Sequence, residues 1–211
     1  MTREHQRPIL QPSASFEWII GASDPGASHR IAQETSWALV NRVREGAEAD
    51  PALVARVVEV AAGEGINDIA ELWSRESTHS LAGVLWRLYL LRRIVAADAS
   101  GSADLFARGA HRIGTIDPIV AGAAEPISPE SIAALCDRIL RGAFMGDLGD
   151  ALDRAAAYAR VMAAGAAELA DERDPHDDAH GTELTTRALR YATIARELDA
   201  GARRWRDGVL A

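Results

Sequence analysis

The chain contains no lysine; all 23 of its Lys-or-Arg positions are arginine. That absence closes every chemistry built on a primary amine: Schiff-base catalysis, the P-loop lysine and the kinase-type lysine. Cysteine is almost as scarce. Cys136 is the only one, which excludes an intrachain disulfide and a multi-cysteine metal site. It falls on the apolar stripe of a predicted helix, where it reads as a small core residue rather than a nucleophile. Positive charge is also in deficit. A net charge of −8 argues against partnership with nucleic acid or an anionic membrane surface, both of which attract a positive field. No long apolar run exists either, because the most apolar stretch, residues 81–97, is broken by Arg87, Arg92 and Arg93. A membrane span needs about 20 mostly apolar residues, so this stretch reads as a buried helix. The N-terminal residues mix Arg3, Glu4, His5 and Arg7 with Pro8 and Pro12, unlike a signal peptide, and the expected location is the cytoplasm.

What is present is a core. Hydrophobic residues make up 48% of the 211, enough to exclude general disorder and to fill one well-cored domain. Residues 1–15 carry two prolines and no helical period, and are expected to form a mobile arm. Phe16, Trp18, Ile19 and Ile20 then make a short apolar patch, and Asp24-Pro25-Gly26 a turn. From there the pattern is helix after helix. Ile31, Ala38, Leu39 and Val43 share one face over 28–45; Asp50 caps a second helix with Pro51 at its first position. Asn67 can cap a short helix bearing Ile69, Leu72 and Trp73. Residues 80–97 are apolar nearly all round, a shorter helix follows over 102–112, and Ser128-Pro129 opens another. In that last helix Ile132, Leu135, Cys136, Ile139 and Leu140 form a regular stripe.

The final third carries the clearest signal. Leu148, Leu152, Ala155, Ala159, Met162, Ala166 and Leu169 step by four and three, as do Leu184, Ala188, Tyr191, Ala195, Leu198, Ala202 and Trp205. Two such seams joined by a proline-containing loop at 171–181 specify an antiparallel, alanine-rich hairpin of helices roughly 36 Å long. Glu183 to Arg187 and Asp199 to Arg203 have the spacing of stabilising pairs along it. The expectation is an all-α fold of about seven to nine helices, with no convincing strand. One domain covers 16–211, divided into a helical body (16–145) and the hairpin (146–207).

Chemistry-bearing residues are few. Arg87 lies in the most apolar helix beside Trp86 and Tyr89, and a charge there must find a partner. Glu71 or Glu76 could supply an ion pair. Alternatively, a pocket beside Arg87 would let its guanidinium hold a small anion, with Arg75 and His79 as neighbours. The long apolar connection from Ile113 to Ser128 is a second candidate, with Asp117-Pro118 opening a short helix in it. Asp174, His176, Asp177, Asp178 and His180 are ligand types on the hairpin loop, but their spacing fits no metal motif, so a solvated acidic turn is expected. No metal or cofactor is expected. Gly21-Ala22-Ser23-Asp24-Pro25-Gly26 is not a serine elbow. A helix-turn-helix around Gly65 would set Asp68 and Glu71 against phosphates, and is rejected.

The segments Gly65-Ile66-Asn67-Asp68-Ile69-Ala70-Glu71-Leu72-Trp73, Ser80-Leu81-Ala82-Gly83-Val84-Leu85-Trp86-Arg87-Leu88-Tyr89-Leu90-Leu91 and Ile116-Asp117-Pro118-Ile119-Val120-Ala121-Gly122-Ala123-Ala124 resemble a family of small, uncharacterised actinobacterial proteins. The resemblance implies a helical fold and assigns no activity and no catalytic residue. Members are sometimes labelled as RNA polymerase β subunit, a label that the chain's length and lack of lysine oppose.

Two functions fit these residues. A non-enzymatic protein-interaction or self-association module would use a second apolar face of the hairpin, marked by Tyr158, Val161, Leu189 and Ile194, and would form a homo-oligomer, most simply a dimer. A small-anion-binding protein or enzyme would use Arg87, Arg75, His79, Trp86, Tyr89 and Asp117.

Overall fold

The computed structural model describes residues 25–47, 67–172 and 178–210, and among these every regular element is a helix. In chain order they are α1 (Pro25–Ala47), α2 (Asn67–Ser74), α3 (Leu81–Ala97), α4 (Ala99–Arg112), α5 (Asp117–Ala121), α6 (Pro129–Met145), α7 (Leu148–Asp171) and α8 (Asp178–Arg206). The fold is all-α, as the periodicity predicts. The arm at 1–15, the patch at 16–20, the helix expected after Asp50 and the tip of the hairpin loop lie outside the described residues.

Short polar side chains set the helix starts. A helix leaves its first N–H groups without partners, and a neighbouring oxygen can take one up. Ser80 accepts from the Gly83 N–H at the start of α3, and Asp147 from the Asp150 N–H at the start of α7. Ser128 and Ser131 bond reciprocally at the start of α6. Asp98 accepts from the Gly101 N–H, so α4 begins at Ala99, three residues before the expected 102. An apolar pattern does not mark that cap, and the helix therefore reads short in sequence.

The α6 stripe and most of the hairpin seams are buried where the spacing put them, while Leu169, Ala188 and Trp205 are half-buried. Ile132, Leu135, Cys136, Ile139 and Leu140 are all in the core, as are Leu148, Leu152, Ala155, Ala159, Met162 and Ala166 of α7. Leu184, Tyr191, Ala195, Leu198 and Ala202 meet them from α8. Helix α1 differs. Its inward face is Ala32, Ser36, Val40 and Val43; of the expected residues Val43 is in the core and Leu39 packs against it, but Ala38 is exposed and Ile31 half exposed. Ser36 disguises the true face. Its hydroxyl donates to the Gln33 carbonyl, which satisfies it inside the core.

Helix α7 is the central post. It packs on α4, α5, α6 and α8, and it buries residues on every side, including Ala156, Ala157, Tyr158 and Val161. Where it crosses α4 the two backbones touch: a Cβ on Gly109 would collide with the Val161 carbonyl, and one on Gly165 with the Leu105 carbonyl. One contiguous buried cluster runs from Ala32 of α1 to Ala202 of α8. None of the described helices is long and apolar enough to cross a membrane.

Candidate functional site: the groove between α3 and α8

The Arg87 guanidinium does find a partner, but from α8. Its Nε donates to Glu197 Oε2 at 2.6 Å and its Nη1 to the Gly83 carbonyl at 2.7 Å. Neither glutamate expected from sequence serves it. Glu71 lies 3.9 Å from Arg75, both exposed, and Glu76 meets His29 Nδ1 at 2.7 Å. The Arg87 guanidinium is thus bonded on two sides, to a carboxylate and to a carbonyl. Trp86 and Tyr89 pack ring against ring at 5.6 Å, and the Arg93 guanidinium lies 6.0 Å from the Tyr89 ring centre. His79 is exposed, held at its backbone N–H by Ser77.

Asp117 belongs to another network. Arg160 of α7 donates to its Oδ1 through both Nε and Nη2, at 2.9 and 2.8 Å, and Thr115 donates to Oδ2 at 2.7 Å. Burial pushes the Asp117 pKa up, but the hydrogen bonds from Arg160 and Thr115 outweigh it and hold the carboxyl below its ordinary range. The third arm of Arg160 reaches Asp199 Oδ2 at 2.8 Å, so Asp199 bonds across the hairpin rather than along α8 to Arg203. The long connection is thus fastened at Asp117 to α7 and, through Arg160, to α8, while its Ile116 and Ile119 are exposed. Glu197 and Asp199 are two residues apart on α8 and project away from each other. Arg87 and Asp117 are therefore engaged on opposite sides of α8.

The four residues of the second apolar face are likewise divided. Tyr158 and Val161 are fully buried against the chain's own body, Tyr158 stacking on Phe106 with ring centres 5.5 Å apart. They are not available to a partner. Ile194 is buried and Leu189 is 63% exposed, and these two line one groove.

The groove exists because α3 and α8 pack closely at one end and diverge at the other. At the close end a Cβ on Gly201 would lie 2.6 Å from Val84 Cγ1, so glycine sets the approach. The Arg87–Glu197 pair comes next, and beyond it the helices part. They leave a space of about 910 Å³ between Leu90, Ile94 and Ala97 of α3 and Tyr191, Ile194 and Leu189 of α8. Charged groups lie away from the close end, namely Asp98 on one side and Glu183, Arg187 and Arg190 on the other, while Thr186 and Thr193 add hydroxyls along the α8 wall. The Arg187 guanidinium carbon stands 6.0 Å from the Tyr191 ring centre. Burial raises the Tyr191 pKa, and the Arg187 cation works in the opposite sense.

Beneath the groove Tyr191, Tyr158 and Cys136 form a buried polar trio. Burial is the main cause that pushes the Cys136 thiol up to about 12, with the Tyr158 hydroxyl and Arg92 opposing it. A thiol held protonated is not a nucleophile, so the core reading of Cys136 holds. Among the described residues no cluster of His, Cys, Asp and Glu could hold a metal ion. The acidic hairpin loop is only partly within the described residues, and its Asp174, His176 and Asp177 lie outside them.

Fold and groove together define an all-α protein with a lateral, mainly apolar groove among its described residues. Compared with known proteins, the chain matches no protein family, no curated protein and no solved structure.

Proposed function

We propose that the chain is a non-enzymatic binding protein whose guest, a compact and largely apolar molecule, occupies the groove between α3 and α8. The observation that carries this reading is the groove itself. Its volume of about 910 Å³ lies within the range of small-molecule sites, and its walls are mainly aliphatic and aromatic with a few charged groups away from the close end. The strongest candidates for chemistry are otherwise engaged: Cys136 is buried as a thiol, and Asp117 and Arg87 are locked in ion pairs.

Titration of the full chain with the neutral dye Nile red tests it. Saturable binding should weaken on Ile94→Asp, in the groove wall, and persist on Ile116→Asp, at an exposed isoleucine of the connection leading into α5. Equal binding by both variants, each shown folded by circular dichroism, would remove the groove reading.

A second reading, a protein-interaction module that pairs with another copy or another protein, is favoured by the exposure of Leu189 and of Ile116 and Ile119. The exposed surface of α8, part of which is the groove rim, supports it less. Thr182, Thr185, Thr186, Arg190, Thr193 and Arg196 are exposed there, and Leu189 is the one large apolar residue exposed among them. A stable dimer buries about 800 Å² per partner around an apolar centre. Sedimentation of wild type and Leu189→Arg separates the two: a dimer that Leu189→Arg dissolves would favour the interaction module.

A further inference from the structure

The groove is asymmetric along its length, and the asymmetry points to the chemistry of its guest. From the close end outward, α8 presents Ile194, then Tyr191 and Arg190, then Arg187 and Glu183. Helix α3 runs in the opposite sense and presents Leu90, then Ile94, then Asp98. The inner part is therefore mainly aliphatic, with the Thr193 hydroxyl beside Ile194, and the charged groups begin one turn outward at Arg190. Between Glu183 and Ile194 the α8 wall spans about 16 Å at the helical rise.

The four charges at the mouth are not equivalent. Asp98 is committed to its own backbone, accepting the Gly101 N–H at 2.8 Å to start α4. Glu183 has an interaction of its own. Among the described residues, Arg187 and Arg190 have no carboxylate at ion-pairing distance. Arg187 is half-buried against Tyr191, where an incoming oxygen would meet it away from bulk water and bond it more strongly. Two cations with donors to spare, at the mouth of an aliphatic trough, favour an anionic head on an apolar body. Two neighbouring carboxylates, Asp98 and Glu183, repel a doubly charged phosphate more than a singly charged carboxylate.

We infer that the guest is an amphipathic carboxylate, its chain lying on Leu90, Ile94 and Ile194 and its head between Arg187 and Arg190 at the mouth. This rests on the groove reading above and adds the head group to it. Arg187 and Arg190 are positioned one turn apart on α8, so their guanidinium groups can take the two oxygens of one carboxylate.

Calorimetric titration of the full chain with dodecanoate, dodecanol and dodecyltrimethylammonium reads head and chain separately. Dodecanoate should bind at least ~10-fold more tightly than dodecanol, as a charge-assisted bond to arginine would give. The double variant Arg187→Gln/Arg190→Gln should lose that advantage while still binding dodecanol, and Arg187→Lys/Arg190→Lys should restore part of it. Arg190 is exposed and Arg187 half-buried, so a melting curve for each variant shows that it still folds. Equal affinity for dodecanoate and dodecanol would overturn the head-group assignment and leave the groove standing. Preferential binding of the ammonium compound would overturn it in favour of Asp98 and Glu183. Binding of none of the three would overturn both this inference and the groove reading.

Discussion

Gly109 of α4 and Gly165 of α7 face each other across a backbone contact in which neither has room for a side chain. The Gly165 position lies against the Leu105 carbonyl and the Gly109 position against the Val161 carbonyl, so the crossing is fixed from both sides. Carbonyl oxygens in helices cannot rotate away as a side chain can. Gly165→Ala should therefore cost about 1–3 kcal/mol, the usual range for forcing an extra methyl into packed structure. Urea denaturation measures it. Gly181→Ala is the counterpart: its site is open, it lies within α8, and removing a helical glycine there should add about 0.5–1 kcal/mol. If Gly165→Ala behaves like Gly181→Ala, the close crossing is not real.

The Arg87–Glu197 pair is mostly shielded, with side-chain exposures of 13% and 26%. Glu197→Gln removes the carboxylate and leaves the guanidinium partly buried with the Gly83 carbonyl, which should cost about 2 kcal/mol. Replacing both residues with apolar ones, Arg87→Met and Glu197→Leu, should cost less than the two single changes added together. A double-mutant cycle on urea midpoints checks this. Additive losses would mean that the pair is not coupled.

Asp117 should give the fold part of its acid sensitivity. Its folded pKa lies below the unfolded value of about 3.9, so its stabilising share is complete above that value. That share disappears as the pH falls through the lowered folded value. Between about pH 5 and about pH 3 the wild type should therefore lose more stability than Asp117→Asn, which has no proton to take up. Parallel losses in the two proteins would show that Asp117 is not held down by Arg160.

Cys136 should be inert. Its thiol is 5% exposed and burial pushes its pKa up to about 12. In native buffer it should fail to react with Ellman's reagent over hours, and in denaturant it should react in full. Rapid reaction of the native protein would place the thiol at a surface.

The sequence is most informative where a helix repeats its own spacing. The α6 stripe and the seam from Leu148 to Ala166 are buried because each is set by residues three and four apart, which any single helix reveals. Partner choice is a different kind of information. Arg87 signals that it needs an acid, yet the acid is 110 residues away, on a helix whose placement depends on the hairpin. Glu71 and Glu76, nearer in sequence, already have Arg75 and His29. The groove was half visible. Leu189 and Ile194 lie off the α8 seam and mark a second apolar face, just as Tyr158 and Val161 do on α7. Nothing in that pattern says which face meets the body and which stays open. That difference arises from the space left between α3 and α8 beyond Arg87, away from their close approach at Gly201.

The central position of α7 has a consequence for how the chain is made. Proteins emerge from the ribosome N-terminus first, at about 5–20 residues per second. Helices α3 to α6 all pack on α7 and all precede Leu148, so none of them can complete its packing until that post has been synthesised. For seconds the nascent chain presents Leu105, Phe106, Leu135 and Ile139 to the surrounding solution, where a chaperone can shield them. Assembly of the core is thus a late event, timed by the arrival of the α7 segment.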